Sequence, residues 1–213
     1  MATQRGLLSD RAYAKLKQAI LMGTLTPGTP LVELDLAKRF GIGRTPMREA
    51  IRRLREEGLV RLIRNKGAFV ERMGLTDIEE ALFLRELLEV AAVHRGIDLI
   101  PEERLKALDA AFERFAQMGD RFPADECLAA DVALHELIVN SARSPRLVKF
   151  HKQLADQIHR IRYFQAERMR ASIPEHRAII RALRKRNGVE AERALRTHME
   201  KIRENLYRNR HLL

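Results

Sequence analysis

Apolar residues recur at helical spacing along most of the chain, with one short interruption that alternates instead. Residues 9–22 (SDRAYAKLKQAILM) place Tyr13, Leu16, Ile20 and Leu21 on one face, which predicts a helix with Ser9 and Asp10 as capping candidates. Leu25 to Pro30 (LTPGTP) breaks the pattern, because proline lacks an amide donor and glycine permits positive φ. A second helix is predicted over 33–40, apolar at Leu34, Leu36, Ala37 and Phe40, and Gly41-Ile42-Gly43 turns the chain. A third is expected from Thr45-Pro46, with Thr45 as N-cap and Pro46 at the first helical position. Its buried face would be Met47, Ala50, Ile51 and Leu54, and Gly58 would stop it. Leu59–Ile63 and Ala68–Val70 then read as two short strands around a tip of Arg64-Asn65-Lys66-Gly67.

Residues 71–76 (ERMGLT) read as a linker, and everything beyond is helical in pattern. Helices are predicted near 76–99, 102–118, 122–142, 145–169, 173–187 and 189–209, with breaks at Pro101, Gly119 to Pro123, Ser144-Pro145, Pro174 and Asn187-Gly188. The expected fold class is mainly α: an N-terminal winged helix-turn-helix over 1–71, a linker over 72–76, and an all-helical bundle over 77–213.

Composition sharpens this division. The chain has 213 residues, enough for one large or two modest domains, and 46% are hydrophobic, an ordinary balance for a packed core. No apolar run is long enough to cross a bilayer and no signal-type leader is present, so a cytoplasmic protein is expected. The single cysteine, Cys127, excludes an internal disulfide framework and a multi-cysteine zinc site, and reads as a packing residue. Net charge is +11. Residues 1–74 hold 15 Lys+Arg against 7 Asp+Glu, whereas the remainder holds 25 against 22. A basic head on a nearly neutral body is the electrostatic footprint of a polyanion reader.

The third helix has the two faces that a DNA-recognition helix needs, an apolar seat and a cationic outer stripe near its N-terminus. Arg44, Arg48 and Arg52 are spaced by four, with Thr45 beside them. Arginine pairs bidentately with guanine or clamps phosphate. At the hairpin tip, Gly67 lets backbone approach DNA closely and Lys66 supplies a cation. The competing reading of the arginines is a solvated face paired with Glu49 or Glu56.

The stretch Leu31-x-Glu33-x-x-Leu36-Ala37, Arg44-Thr45-Pro46-Met47-Arg48-Glu49-Ala50-Ile51 and Leu54-x-x-x-Gly58-Leu59-Val60 resembles the GntR family of bacterial transcription regulators. The resemblance implies that Arg44, Thr45 and Arg48 touch operator DNA and that the tip around Gly67 enters the minor groove. Gly43 departs from it, since the family usually has serine there, which places one phosphate contact in doubt.

In the body, Asp131 and His135 stand at i and i+4, so both side chains leave one helix face. Asp131-x-x-x-His135, Glu175-His176-x-x-Ile179 and His198 resemble the FCD effector domain of the FadR-type branch of that family. The resemblance implies that Asp131, His135, His176 and His198 hold a divalent metal, and that Arg85 (in LFLRELLE) faces an effector carboxylate. Three imidazoles and one carboxylate suit Zn, Ni, Mn or Fe alike. For Arg85 the competing reading is a surface pair with Glu89 at i+4. His94, His151, His159 and His211 lack such support and are expected to be structural or exposed. Ser144 stands where the family usually has asparagine, and serine still caps a helix.

The expected function is a homodimeric DNA-binding regulator, a repressor by analogy, controlled by a small carboxylate metabolite bound near the metal. The alternatives are a metal-responsive regulator, a metal-dependent enzyme with a DNA-binding appendage, and a purely structural metal.

Overall fold

The computed structural model describes residues 2–119, 122–162 and 166–208. They form two compact units that part at Gly74–Leu75, with residues 159–162 grouped with the first.

The first unit contains α1 (Ala2–Leu21), α2 (Glu33–Phe40), α3 (Arg44–Glu56), β1 (Val60–Ile63) and β2 (Gly67–Val70). Ala12, Leu16 and Ile20 of α1 join Met47, Ala50, Ile51 and Leu54 of α3 in one buried cluster, so the periodicity of α3 names its seat correctly. α1 starts before Ser9 and Asp10, which therefore lie inside it; Asp10 instead pairs with Arg53 at 2.6 Å. Leu36 and Ala37 of α2 are buried, whereas Leu34 is exposed. α2 ends at Gly41, whose φ of 64° is the left-handed cap that glycine adopts at least cost. The N-cap of α3 is Gly43, with no side-chain capping bond, and Thr45 sits in the first turn rather than at the cap. Pro46 falls in the same turn, where a missing amide costs nothing because those N–H groups have no partner within the helix. The strands pair antiparallel, Val60 with Val70 and Ile63 with Gly67. Asn65 and Gly67 take positive φ to reverse the chain at the tip.

The second unit is all helix among the described residues: α4 (Leu75–Gly96) running into a 3-10 turn (Ile97–Leu99), α5 (Glu102–Gln117), α6 (Ala124–Ser141), α7 (Pro145–Arg162) up to residue 158, α8 (Ala166–Arg184) and α9 (Gly188–Arg208). α4 begins within the stretch read as linker. Pro101 and Pro123 immediately precede α5 and α6, and Pro145 opens α7, the places where proline is tolerated. Ser144 caps α7 weakly, accepting from the Leu147 amide at 3.4 Å. Pro174 behaves differently, because α8 runs through it instead of starting after it. Ser172, Ile173, Glu175 and His176 around it are buried, and that packing outweighs the backbone bond proline removes. Residues 163–165 and 209, which the periodicity put in helices, lie outside the described residues.

The core of this unit gathers Leu105, Phe112 and Phe115 of α5, Leu134 and Ile138 of α6, Ile179, Ile180 and Leu183 of α8 and Leu195 of α9. α4 and α6 meet closely at Gly96, where a Cβ would lie 2.3 Å from the Ser141 carbonyl oxygen. Only glycine permits that approach, which helps to set how α4 faces the polar side chains of α6.

Candidate metal centre and nucleic-acid face

Asp131 and His135 from α6, His176 from α8 and His198 from α9 each direct one ligand atom toward a common point, all four atoms within 4.8 Å of one another. All four side chains are buried. His176 Nε2 lies 2.8 Å from Asp131 Oδ1 and His135 Nε2 lies 3.8 Å from the same oxygen. Neither nitrogen has a hydrogen bond in this arrangement, nor does His176 Nδ1. Buried imidazole nitrogens without hydrogen bonds are costly, and a metal ion satisfies such nitrogens as a donor set. The rings are close, with His176 and His198 centroids 4.6 Å apart, and His176 stacks on Phe112 at 4.8 Å.

A second layer holds the imidazoles from behind. Glu89 of α4 faces His135 Nδ1 at 2.6 Å, and Glu175 of α8 faces His198 Nδ1 at 2.8 Å. A carboxylate on one ring nitrogen orients the ring and leaves the other nitrogen for a metal. Glu89 also accepts from Arg85 Nε at 2.6 Å and faces His151 Nε2 at 2.8 Å. Burial raises the Glu89 carboxyl, but Arg85, His135 and His151 outweigh it and hold the group well below the usual carboxylate range. Burial, reinforced by Arg85 and opposed by Glu89 and Asp131, pushes His135 down to about 4, which keeps it in the neutral form that ligates metal. Three imidazoles and one carboxylate fit a borderline divalent ion and do not choose among Zn, Ni, Mn and Fe. Four protein ligands leave further positions on an ion that takes five or six.

Arg85 combines parts of both readings: it pairs with Glu89 at i+4, but deep inside, only 2% exposed. Sequence reasoning named Glu89 only as a surface partner of Arg85 and His151 only as structural or exposed, and gave neither a place at the site. Glu89 had one signal, its i+4 spacing from Arg85; His151 had none, standing 62 positions away. His94 is exposed and pairs with Glu192. His211 and the side chain of His159 lie outside the described residues. Cys127 is buried, and burial first, then Asp131, raises its thiol to about 12, as suits a packing residue rather than a reactive one.

On the head, Arg44, Thr45, Arg48, Arg52, Lys66 and Gly67 are all exposed. Arg48 forms a two-pronged pair with Glu33 of α2, Nε to Oε1 and Nη2 to Oε2 both at 2.8 Å. That hydrogen bond is the main reason the Glu33 carboxyl lies below its ordinary value. Arg52 is held by Glu49 at 2.6 Å and by Glu56, the pairing anticipated for a solvated face. Neither Arg44 nor Lys66 has an ion pair among the described residues. A DNA contact through Arg48 would have to exchange this carboxylate for a base edge or phosphate.

Comparison with known proteins covers both units. The profile of bacterial regulatory proteins of the gntR family matches residues 8–70, and that of the FCD domain matches residues 80–201. The chain is 28% identical over 204 residues to the HTH-type transcriptional repressor RspR of Escherichia coli (strain K12), covering 93% of this chain and 89% of that one. It is 31% identical over 198 residues to the HTH-type transcriptional regulator YdhC of Bacillus subtilis (strain 168), covering 91% and 88%. Among solved structures, McbR/YncC of E. coli superposes with a TM-score of 0.80 at 21% identity, covering 94% of this chain and 97% of that one, a likeness of fold.

Proposed function

Because the chain belongs to the GntR family of bacterial transcription regulators and carries that family's FCD domain, we propose that it is an operator-binding repressor released by a small carboxylate metabolite that binds beside a divalent metal. The family and the relatives are transcriptional regulators, not enzymes, so no catalytic residue is assigned. One observation carries the regulatory part of the reading, the buried convergence of Asp131, His135, His176 and His198.

Those four residues would hold the metal, which supplies Lewis acidity toward a carboxylate oxygen. Arg85 is the residue we assign to the effector's carboxylate: a planar fork suits that task, and a second carboxylate arriving here competes with Glu89 for it. Glu89 is also the partner of His135 and His151, so the competition reaches α6 and α7. An effector acts only through different affinities for two states, and release of DNA follows when it favours the state that does not bind operator. The metal-responsive alternative places the signal in the ion itself and uses the same four ligands.

Residues 1–71 serve as the DNA head, 72–76 as the linker and 77–213 as the effector and dimerisation domain. A homodimer is supported by Phe83, Leu84 and Leu87, large apolar side chains exposed together on α4. Two-fold symmetry then lets two heads read the halves of a palindrome. The protein acts in the cytoplasm, where the bacterial chromosome lies; no helix among the described residues is long and apolar enough to cross a membrane.

Arg48→Ala is expected to weaken operator binding by about 1–3 kcal/mol and to relax preference at the base pair it reads. Fluorescence anisotropy against single-base operator variants measures both, and an unchanged preference at every position would remove Arg48 from base reading. Metal content tests the centre: protein purified without chelator is expected to carry on the order of one divalent ion per chain, as a single site of four ligands requires. Protein that neither holds an ion nor takes one up would overturn the reading.

A further inference from the structure

The cations of α8, α9 and the turn between them include Arg181, Arg184, Lys185, Arg186, Arg193 and Arg196. Four of these are engaged by the fold. Arg184 pairs with Glu102 at 2.8 Å, Lys185 with Glu190 at 3.2 Å and Arg196 with Glu86 at 2.5 Å, while Arg186 donates to the Ile100 carbonyl at 2.8 Å. Arg181 and Arg193 are exposed and have no side-chain partner among the described residues. Both line one groove of about 320 Å³ between α8 and α9, together with Thr197 and Lys201. Arg193, Thr197 and Lys201 follow one another at i+4, so they form a continuous wall.

The two carboxylates that line the groove are already neutralised. Glu175 is held by Arg168 at 2.7 Å and His198 at 2.8 Å, with Lys201 at 3.6 Å. Glu190 is held by Lys185 and accepts from its own helix's capping residue, Asn187. Each acid thus has a cation from outside the groove, Arg168 or Lys185, while the groove itself presents two guanidiniums without ion pairs, a hydroxyl, and the Lys201 ammonium that it shares with Glu175. Its size matches a small-molecule site and falls far short of what a duplex occupies.

We propose that this groove is a second ligand site, separate from the metal centre, that binds a compact dianion of the phosphate or dicarboxylate class. Arg181 and Arg193 clamp the oxygens from opposite helices, as guanidinium forks do, and Lys201 and Thr197 complete the cradle. The site has a route to the metal centre, since Lys201 borders Glu175 and Glu175 holds His198. Its occupancy thus bears on how His198 is oriented.

Isothermal titration of the full chain with inorganic phosphate and, separately, succinate tests this, using wild type, Arg181→Gln/Arg193→Gln and Asp131→Ala/His198→Ala proteins. Wild type is expected to bind at least one probe saturably, and the probe that binds tells which class the groove takes. The double arginine variant is expected to lose about tenfold or more in affinity for that probe, with metal content unchanged. Absence of saturable binding, or equal affinity in the arginine variant, overturns the proposal. Binding kept in the arginine variant but abolished by Asp131→Ala/His198→Ala assigns the anion to the metal centre, which overturns the groove and leaves the regulatory reading intact. Unaltered anion binding with weaker binding of random-sequence duplex DNA would make the groove a DNA contact and likewise overturn it.

Discussion

Glu89→Ala is expected to destabilise the C-terminal unit by about 3–5 kcal/mol, because it leaves the buried guanidinium of Arg85 without its counter-charge. That loss is a large share of the roughly 5–15 kcal/mol that holds a typical domain together. Arg85 is 2% exposed and Glu89 fully buried, so the guanidinium loses its counter-charge where solvent compensates poorly. The same substitution removes the partner of His135 Nδ1 and of His151 Nε2. Urea denaturation of metal-stripped protein measures this without the stabilisation that a bound ion adds. Arg85→Met combined with Glu89→Leu should recover the part of the loss that comes from the unpaired guanidinium, while His135 Nδ1 and His151 Nε2 still lack their carboxylate. A Glu89→Ala midpoint equal to wild type at unchanged slope would show that Arg85 finds another partner.

His176→Ala is expected to lower metal affinity by more than about 100-fold, beyond the 10- to 100-fold typical of changes behind the ligands. His176 is the ligand with least slack. Its Nε2 approaches Asp131 to 2.8 Å, its ring lies against Phe112, and neither ring nitrogen has a hydrogen bond that would give it another role. Competition with a chromophoric chelator measures the affinity. Far-UV circular dichroism should stay near wild type, because the cavity left is one side chain in a helix otherwise seated by Ile179, Ile180 and Leu183. Full metal retention by the variant would remove His176 from the ligand set.

Much of this architecture is legible in the pattern of residues, and the failures have physical causes. The seat of α3 follows from period alone, since Met47, Ala50, Ile51 and Leu54 can share only one face. Asp131 and His135 were legible for the same reason. Pro174 was misleading because local rules assign proline a boundary, while the buried residues on either side of it keep α8 intact. Thr45 was misleading because a threonine before proline looks like a cap, yet Gly43 takes the extended conformation that a cap requires. The pairing of Arg48 with Glu33 rather than with an acid of its own helix depends on how α2 meets α3, which no spacing encodes. Glu89 and His151 stayed hidden because their meaning lies in being buried together from helices far apart in sequence. The groove cations were equally opaque, because the arginines and lysines of the last helices look alike until the fold engages some of them.

Operator affinity measured against the state of the C-terminal site tests the central claim most directly. A duplex selected from random sequence would be titrated by anisotropy with metal-loaded protein, alone and with a panel of small mono- and dicarboxylic acids, beside the Asp131→Ala/His198→Ala variant. At least one acid is expected to weaken binding by about 5- to 150-fold, the usual range of coupling between two sites, and to leave the variant unaffected. Equal operator affinity with every acid, in both proteins, would contradict control of the DNA head by a carboxylate at the metal centre.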